Sequence, residues 1–175
     1  MLLRLLIWAC LLPLGVACQS PESPVTGAAL VVPPLLKMVR SPGLTVLPYD
    51  SAEYGSFLEG KATALSAQDL NQIEWLLQAC IGEYNQAEEQ RLQRLAPQES
   101  VDKSSLIWLQ HYNRQAVPVT NKRGEKEVWV NCFCKGPRNW RTQLVRAKDG
   151  GKCYFSVRLN LATNQWTDLL INGEA

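Results

Sequence analysis

Cysteine is the residue type in this sequence with the widest range of chemistry, and six cysteines occur along the chain. The region predicted to fold contains four of them: Cys80, Cys132, Cys134 and Cys153. Thiols form disulfides, bind metal ions or pack as small apolar side chains. Cys132-Phe133-Cys134 lacks the usual Cys-x₂₋₄-Cys spacing of zinc sites, so no metal site is predicted.

The pairing of these four cysteines is left open, because four cysteines allow three complete pairings. If the strands predicted below pair as simple hairpins, Cys134 and Cys153 lie at opposite ends of the sheet. A strand rises ~3.3 Å per residue, which would put them beyond the ~7 Å between Cα atoms that a disulfide spans. Cys80, on a predicted helix, could instead meet Cys132 or Cys134. Buried thiols and a structural disulfide are both retained as hypotheses.

Acid–base catalysis would depend on His111, the only histidine. His111 alternates with Leu109 on a predicted strand, which is typical of a surface histidine rather than of a general base. Asp149-Gly150-Gly151 is explained by a turn. No catalytic residue and no cofactor are therefore predicted, and a role other than that of an enzyme is favoured.

A candidate binding surface is formed by aromatic and arginine residues of the C-terminal region: Trp129, Trp140, Trp166, Arg138, Arg141 and Arg158. Exposed residues of these types commonly anchor interfaces. Trp129 alternates with Val128 and Val130, so we expect it to be exposed or covered by the N-terminal arm. At least one of the three tryptophans is expected to complete the core.

A long amphipathic helix is predicted from Ala67 to about Leu95. Ser66 and Asp69 have capping-box spacing at its start, and Pro97 follows its end. One apolar face is defined by Leu70, Ile73, Leu77, Cys80 and Tyr84. The opposite side is assigned Glu74, Gln78 and Asn85.

After Ser105 the apolar period changes to two, which predicts short strands joined by tight turns. The predicted strands are Leu106–Gln115 with Val117–Thr120, Glu127–Cys134, Trp140–Lys148, Cys153–Leu161 and Trp166–Ile171. Such strands favour an antiparallel meander of four to five strands, with its apolar face covered by the helix. The predicted fold class is α+β, with one long N-terminal helix packed on the meander.

Residues 1–17 have the pattern of a signal peptide, with Arg4 before an apolar run and small residues at its end. The run is shorter than the ~20 residues that span a bilayer. Residues 14–18, Leu-Gly-Val-Ala-Cys, resemble a bacterial lipobox, which implies a lipid on Cys18. The small residues before Cys18 also suit ordinary signal peptidase. The sequence therefore predicts an exported cell-envelope protein, periplasm-facing or at the surface, attached to the membrane through Cys18.

Residues 18–61 are rich in proline and glycine and are predicted to form a tether or an extended arm. Apolar segments such as Ala28–Val32 favour a partly ordered arm. Residues 62–175 are assigned to the domain of helix and sheet. The chain has 18 Lys and Arg against 16 Asp and Glu, and this small net charge of +2 argues against nucleic acid as a partner.

Several short motifs of the C-terminal third have a distinctive pattern: Gly124-Glu125-Lys126 with Val128–Cys134, Asp149–Gly151 with Cys153-Tyr154-Phe155, Asn160-Leu161 and Asn172-Gly173. In these motifs the chain resembles a group of small, uncharacterised exported bacterial proteins, and this resemblance implies no particular activity. The predicted helix and meander are similar in shape to the cystatin and NTF2-like architectures. Gln115–Val119 also resembles the inhibitory hairpin of cystatins, with Val119 in place of the glycine.

Three hypotheses for the function follow. The first is a non-enzymatic envelope module that binds a protein partner with the sheet's outer face or the Lys135–Asn139 loop. The second is an NTF2-like enzyme with a polar pocket between helix and sheet that uses His111. The third is a cystatin-like protease inhibitor, which needs a wedge formed by the N-terminal arm and two hairpins.

Overall fold

A computed structural model describes residues 43–173, so the predicted signal peptide, Cys18 and the first part of the arm lie outside the described residues. The helices are α1 (Ser51–Tyr54) and α2 (Ala67–Leu95). The strands are β1 (Leu44–Val46), β2 (Lys61–Ala62), β3 (Asn113–Thr120), β4 (Lys126–Phe133), β5 (Tyr154–Asn160) and β6 (Gln165–Ile171). Among the described residues they form one mixed sheet of six strands, ordered β1-β3-β4-β5-β6, with β2 paired to β3.

Helix α2 has the bounds that local sequence signals predict. The Ser66 hydroxyl accepts a hydrogen bond from the N–H of Asp69 at 3.1 Å, and the Asp69 carboxylate accepts one from the N–H of Ser66 at 2.7 Å. This capping box satisfies two donors that the first turn leaves unpaired. The face turned to the sheet buries Ile73, Leu76, Leu77, Cys80 and Ile81.

The order of elements corrects the prediction of an N-terminal helix, because β1, α1 and β2 precede α2. Strand β1 runs parallel to β3, with Leu44 opposite Arg114, so the sheet is mixed and not wholly an antiparallel meander. A strand of three residues between Pro42 and Pro48 is too short to show a period of two. The sequence pattern therefore could not reveal it.

Strands β3 to β6 pair antiparallel in chain order. Strand β3 begins at Asn113 and not at Leu106, since the preceding residues include the 3₁₀ turn Leu109–His111. The predicted turn after β3 is present, and Gly124 has the positive φ of +80° that suits glycine there. Side chains of β4 alternate between two faces of the sheet. The inner face, which α2 covers, carries Val128, Val130 and Cys132. The outer face carries Trp129, Asn131 and Phe133.

The predicted strand Trp140–Lys148 is absent, and residues 134–153 form a long irregular connection, the β4–β5 loop. Strands β4 and β5 are therefore direct neighbours, with Phe133 opposite Tyr154. This register joins Cys134 and Cys153 in a disulfide with their Cα atoms 5.1 Å apart. The prediction that these two cysteines lie too far apart was wrong because it inserted a strand between β4 and β5.

Strand β6, at one edge of the sheet, contains a bulge. Arg158 pairs with Thr167 but Ser156 pairs with Leu170, so β6 has one more residue than β5 over this stretch. Asp168 lies within it and has a φ of +53°, which is uncommon for a residue other than glycine. The extra residue changes which side chains face inward. Those packed on the inner side are Trp166, Leu169 and Ile171.

Candidate functional site

The space between α2 and the sheet is filled by apolar side chains. Phe155, Val157 and Leu159 of β5 are at most 1% exposed and belong to the same cluster as the buried face of α2. The NTF2-like hypothesis places a polar pocket in this space and uses His111. His111 instead lies exposed at the end of the Leu109–His111 turn. The inner face is therefore a packed core.

Cys80 and Cys132 are the free cysteines among residues 43–173, and both are buried in this core. Burial raises the pKa of the Cys80 thiol to about 12 and also raises the pKa of Cys132. The thiolate is the form that attacks electrophiles and binds metals, so these protonated thiols act as small apolar side chains. Within residues 43–173 no group of three or more His, Cys, Asp or Glu side chains is arranged to hold a metal ion.

One buried ion pair joins α2 to the sheet. Arg114 of β3 donates hydrogen bonds to both carboxylate oxygens of Glu74, at 2.6 and 2.5 Å, and the two side chains are 8% and 11% exposed. Arg114 also donates to the carbonyl of Leu109 at 3.1 Å. The assignment of Glu74 to the solvent side of the helix was therefore wrong. Its partner is 40 residues away in sequence, and helical periodicity contains no signal for such a contact.

The outer face is covered in part by the segment that includes α1. Leu47, Tyr54 and Leu58 of this segment are buried against Val117 and Val119 of β3. This cluster shields the middle of the sheet from water.

Trp129 lies at the margin of that cover and is half-buried. The ring of Trp129 lies 5.0 Å from the ring of Phe57 and 6.4 Å from that of Tyr54, measured between centroids. Part of the predicted arm thus contacts Trp129 without enclosing it.

The β4–β5 loop is held on the outer face by two buried amides, Gln115 and Asn131. Gln115 donates to the carbonyls of Trp140 at 2.5 Å and of Gln143 at 2.7 Å, and accepts from the N–H of Val145 at 2.9 Å. Asn131 donates to Gln115 at 3.1 Å and to the Val145 carbonyl at 2.9 Å. Sequence reasoning missed this role, because the partners are backbone groups of a region predicted to be a strand.

Between the α1 segment, the β4–β5 loop and β6, the outer face is open. Two cavities of about 960 and 440 Å³ both border on Phe57, Trp129 and Ser156 and so form one outer-face groove. The larger cavity is also lined by Lys122, Arg123, Glu127, Arg158, Asp168 and Leu170. The smaller one reaches the loop at residues 144–148.

Arg158 is one of the charged residues that line the larger cavity. One of its terminal nitrogens donates to the carbonyl of Phe57, and its Nε lies 3.5 Å from a carboxylate oxygen of Asp168. That Nε is buried and has no hydrogen-bond partner among residues 43–173. A third of the side chain is exposed, so Arg158 can offer further donors to a carbonyl or carboxylate.

The structure divides the predicted surface among three places. Trp129 and Arg158 line the outer-face groove. The β4–β5 loop holds Trp140, Arg138 and Arg141. Trp140 is buried against Phe133, and Trp166 packs on the inner side, so two of the tryptophans serve the core.

The segment Gln115–Val119 lies in the middle of β3 and is buried along its length. It forms no exposed hairpin loop, which is how a cystatin would present an inhibitory motif.

No family model, no curated protein and no solved structure matches the chain. The resemblance to uncharacterised exported proteins therefore stays a prediction, and inference about function depends on the groove and the loop. Within residues 43–173, no helix has both the length and the apolar character needed to cross a membrane.

Proposed function

We propose that the chain is a non-enzymatic, lipid-anchored module of the bacterial cell envelope, and that its outer-face groove binds an extended segment of a partner protein. The proposal depends chiefly on one observation. Two adjoining cavities share an aromatic boundary of Phe57 and Trp129 on the side of the sheet that α2 leaves free.

The composition of the groove favours a polypeptide over a small molecule. Aromatic and arginine side chains are enriched at protein interfaces, and here Trp129 and Arg158 lie in one groove. Charges of both signs line the groove: Arg123 can donate to a carbonyl of a bound chain, and the Asp168 carboxylate can accept from an amide. The groove is open along its length, whereas sites for small ligands usually enclose most of the ligand surface.

Export and lipid attachment are supported by the N-terminal sequence and by the disulfide. Cys134 and Cys153 form a bond of the kind that persists in oxidising compartments and is rare in the bacterial cytosol. Cys18 follows the small residues of the lipobox-like segment. The enzyme and inhibitor hypotheses have less support, because His111 lies outside the groove and Gln115 is buried.

Site-specific photo-crosslinking in cells tests this proposal. A photoreactive residue at Leu170, which is 63% exposed and lines the groove, should give a reproducible crosslink to one partner. The same residue at Gln78, exposed on α2, is the matched control and should not. Ser156→Trp should fill the groove and abolish the product, whereas Ser156→Ala should retain it. Equal labelling from Leu170 and Gln78 would contradict the proposal.

A further inference from the structure

Positive charge is concentrated in the β4–β5 loop. Residues 135–152 contain six Lys or Arg and a single Asp, although the whole chain has a net charge of only +2. The rest of the chain is therefore net negative, and the loop differs in sign from it.

Four of these cations are exposed and form no ion pair with the described part of the chain: Lys135, Arg138, Arg141 and Lys148. The other two, Arg146 and Lys152, lie near the carboxylates of Glu53 at 3.4 Å and Glu88 at 3.5 Å. An uncompensated set of cations on one loop attracts an anionic surface.

The backbone that carries these cations is fixed to the domain. The Cys134–Cys153 disulfide closes the loop, and the amides of Gln115 and Asn131 hold its middle. Trp140 packs edge-on against Phe133 with ring centroids 5.6 Å apart. A preorganised loop loses little conformational entropy when it binds. This favours a function in recognition over that of a flexible linker.

The loop also lies where the described chain begins. The Gly43 carbonyl accepts a hydrogen bond from the N–H of Arg114 at 2.6 Å, near the end of the sheet where β4 stops. Thr45 of β1 donates to the carbonyl of Arg141 at 3.3 Å. Only 24 residues separate Gly43 from Cys18. A lipid on Cys18 would therefore hold the domain near the bilayer by the end that carries the cations.

We propose that the β4–β5 loop docks on the anionic lipid headgroups of the membrane that carries the anchor. This inference depends on the proposed function, because the proposed envelope location supplies the anionic surface. Guanidinium groups such as those of Arg138 and Arg141 bind headgroup phosphates with paired hydrogen bonds. Lipid chain and basic patch are two signals that together make attachment stable. Docking would fix the orientation of the outer-face groove, which borders the loop at residues 144–148.

Vesicle co-sedimentation tests the docking. Residues 18–175 with Cys18→Ser lack both the predicted signal peptide and the acyl group, and vesicles of phosphatidylcholine with or without phosphatidylglycerol provide the surfaces. We expect binding to the anionic vesicles only, weakened by salt. The double variant Arg138→Gln/Arg141→Gln should weaken it by about fivefold for each cation removed. The single variant Lys61→Gln removes one exposed cation at the opposite end of the sheet; compared with Arg138→Gln alone, it should change little.

Two results would overturn the inference: no binding to anionic vesicles, or equal losses from the loop and control variants. Binding to an acidic polypeptide without binding to vesicles would likewise reject the lipid surface in favour of a protein partner.

The groove is tested separately. Ser156→Trp should bind vesicles normally, and Arg138→Gln/Arg141→Gln should keep the crosslink from Leu170 if the groove proposal holds.

Discussion

The two faces of the sheet are covered in different ways. The inner face is sealed by α2 through close apolar packing and one buried ion pair, Glu74 with Arg114. The outer face is covered by irregular segments that depend on particular hydrogen bonds, those of Gln115 and Asn131, and on one disulfide. Apolar packing can be complete because it has no directional requirement. Irregular cover leaves gaps, and the outer-face groove is such a gap.

This difference assigns stability mainly to the inner face and, under the proposed function, recognition to the outer one. The largest effect on stability is therefore expected from the inner core. Phe155→Ala should lower the free energy of unfolding by about 3–5 kcal/mol, because Phe155 is 1% exposed and its loss leaves a cavity. Chemical denaturation measures the change. Leu170→Ala on the outer side, at 63% exposure, should cost less than about 0.5 kcal/mol, and similar losses from both variants would remove the distinction.

The disulfide is expected to have the next largest effect. Cys134 and Cys153 are 19 residues apart, and opening a loop of this size costs roughly 3 kcal/mol because the unfolded chain gains conformational freedom. Denaturation of the protein with and without reductant, and of Cys134→Ser/Cys153→Ser, measures it. Reductant should have no effect on the double variant. A reduced wild-type protein as stable as the oxidised one would show that the outer face does not depend on this bond.

Gln115→Ala tests the amide support of the β4–β5 loop. The substitution leaves the Val145 N–H and two loop carbonyls without their partner, at a cost of about 2 kcal/mol. The loop should also be cleaved faster by trypsin at Arg138 and Arg141, which limited proteolysis detects. Gln78→Ala, exposed on α2, is the matched control. Unchanged cleavage in Gln115→Ala would mean that the disulfide alone holds the loop.

The smallest effect concerns pH and a contact that joins helix and loop. Glu88 accepts hydrogen bonds from Arg91 and lies near Lys152, and the hydrogen bond from Arg91 is the main cause that lowers the pKa of Glu88 from 4.5 to about 2. Because the folded pKa is lowered, the stabilisation is complete above pH 4.5 and is lost as the pH falls toward about 2.

Glu88→Gln should therefore reduce stability by about 1 kcal/mol at neutral pH, a modest value because Arg91 is half exposed. The difference between variant and wild type should shrink as the pH falls below 4.5. Denaturation midpoints across this range measure it, with Glu89→Gln, exposed one position further along α2, as the control. A constant difference at all pH values would contradict the ionised contact.

Features with local signals were predictable from the sequence. Ser66 and Pro97 mark the two ends of α2, and the alternation of Val128 and Trp129 identifies the two faces of β4. The sequence also allowed for Trp129 to meet the arm, which it does at Phe57.

Features that depend on distant partners were not predictable. The sequence pattern assigns Glu74 to the surface, and only its contact with Arg114 shows that it is buried. Cys134 reaches Cys153 because the residues between them form a loop outside the sheet. The candidate surface was predicted by residue type alone, so it mixed groove, loop and core residues. The structure separates groove, loop and core residues. The sequence could not, because alternation along a strand does not say which elements cover each face.

The bulge in β6 has a consequence for association between copies of the protein. An edge strand offers unpaired backbone groups to a neighbouring molecule, and such pairing can propagate into fibres. Asp168, with its φ of +53°, interrupts the straight edge and places a charge there. Proteins attached to one surface meet each other often and in similar orientations. If the chain is attached to a membrane as proposed, this aspartate would oppose self-assembly through β6.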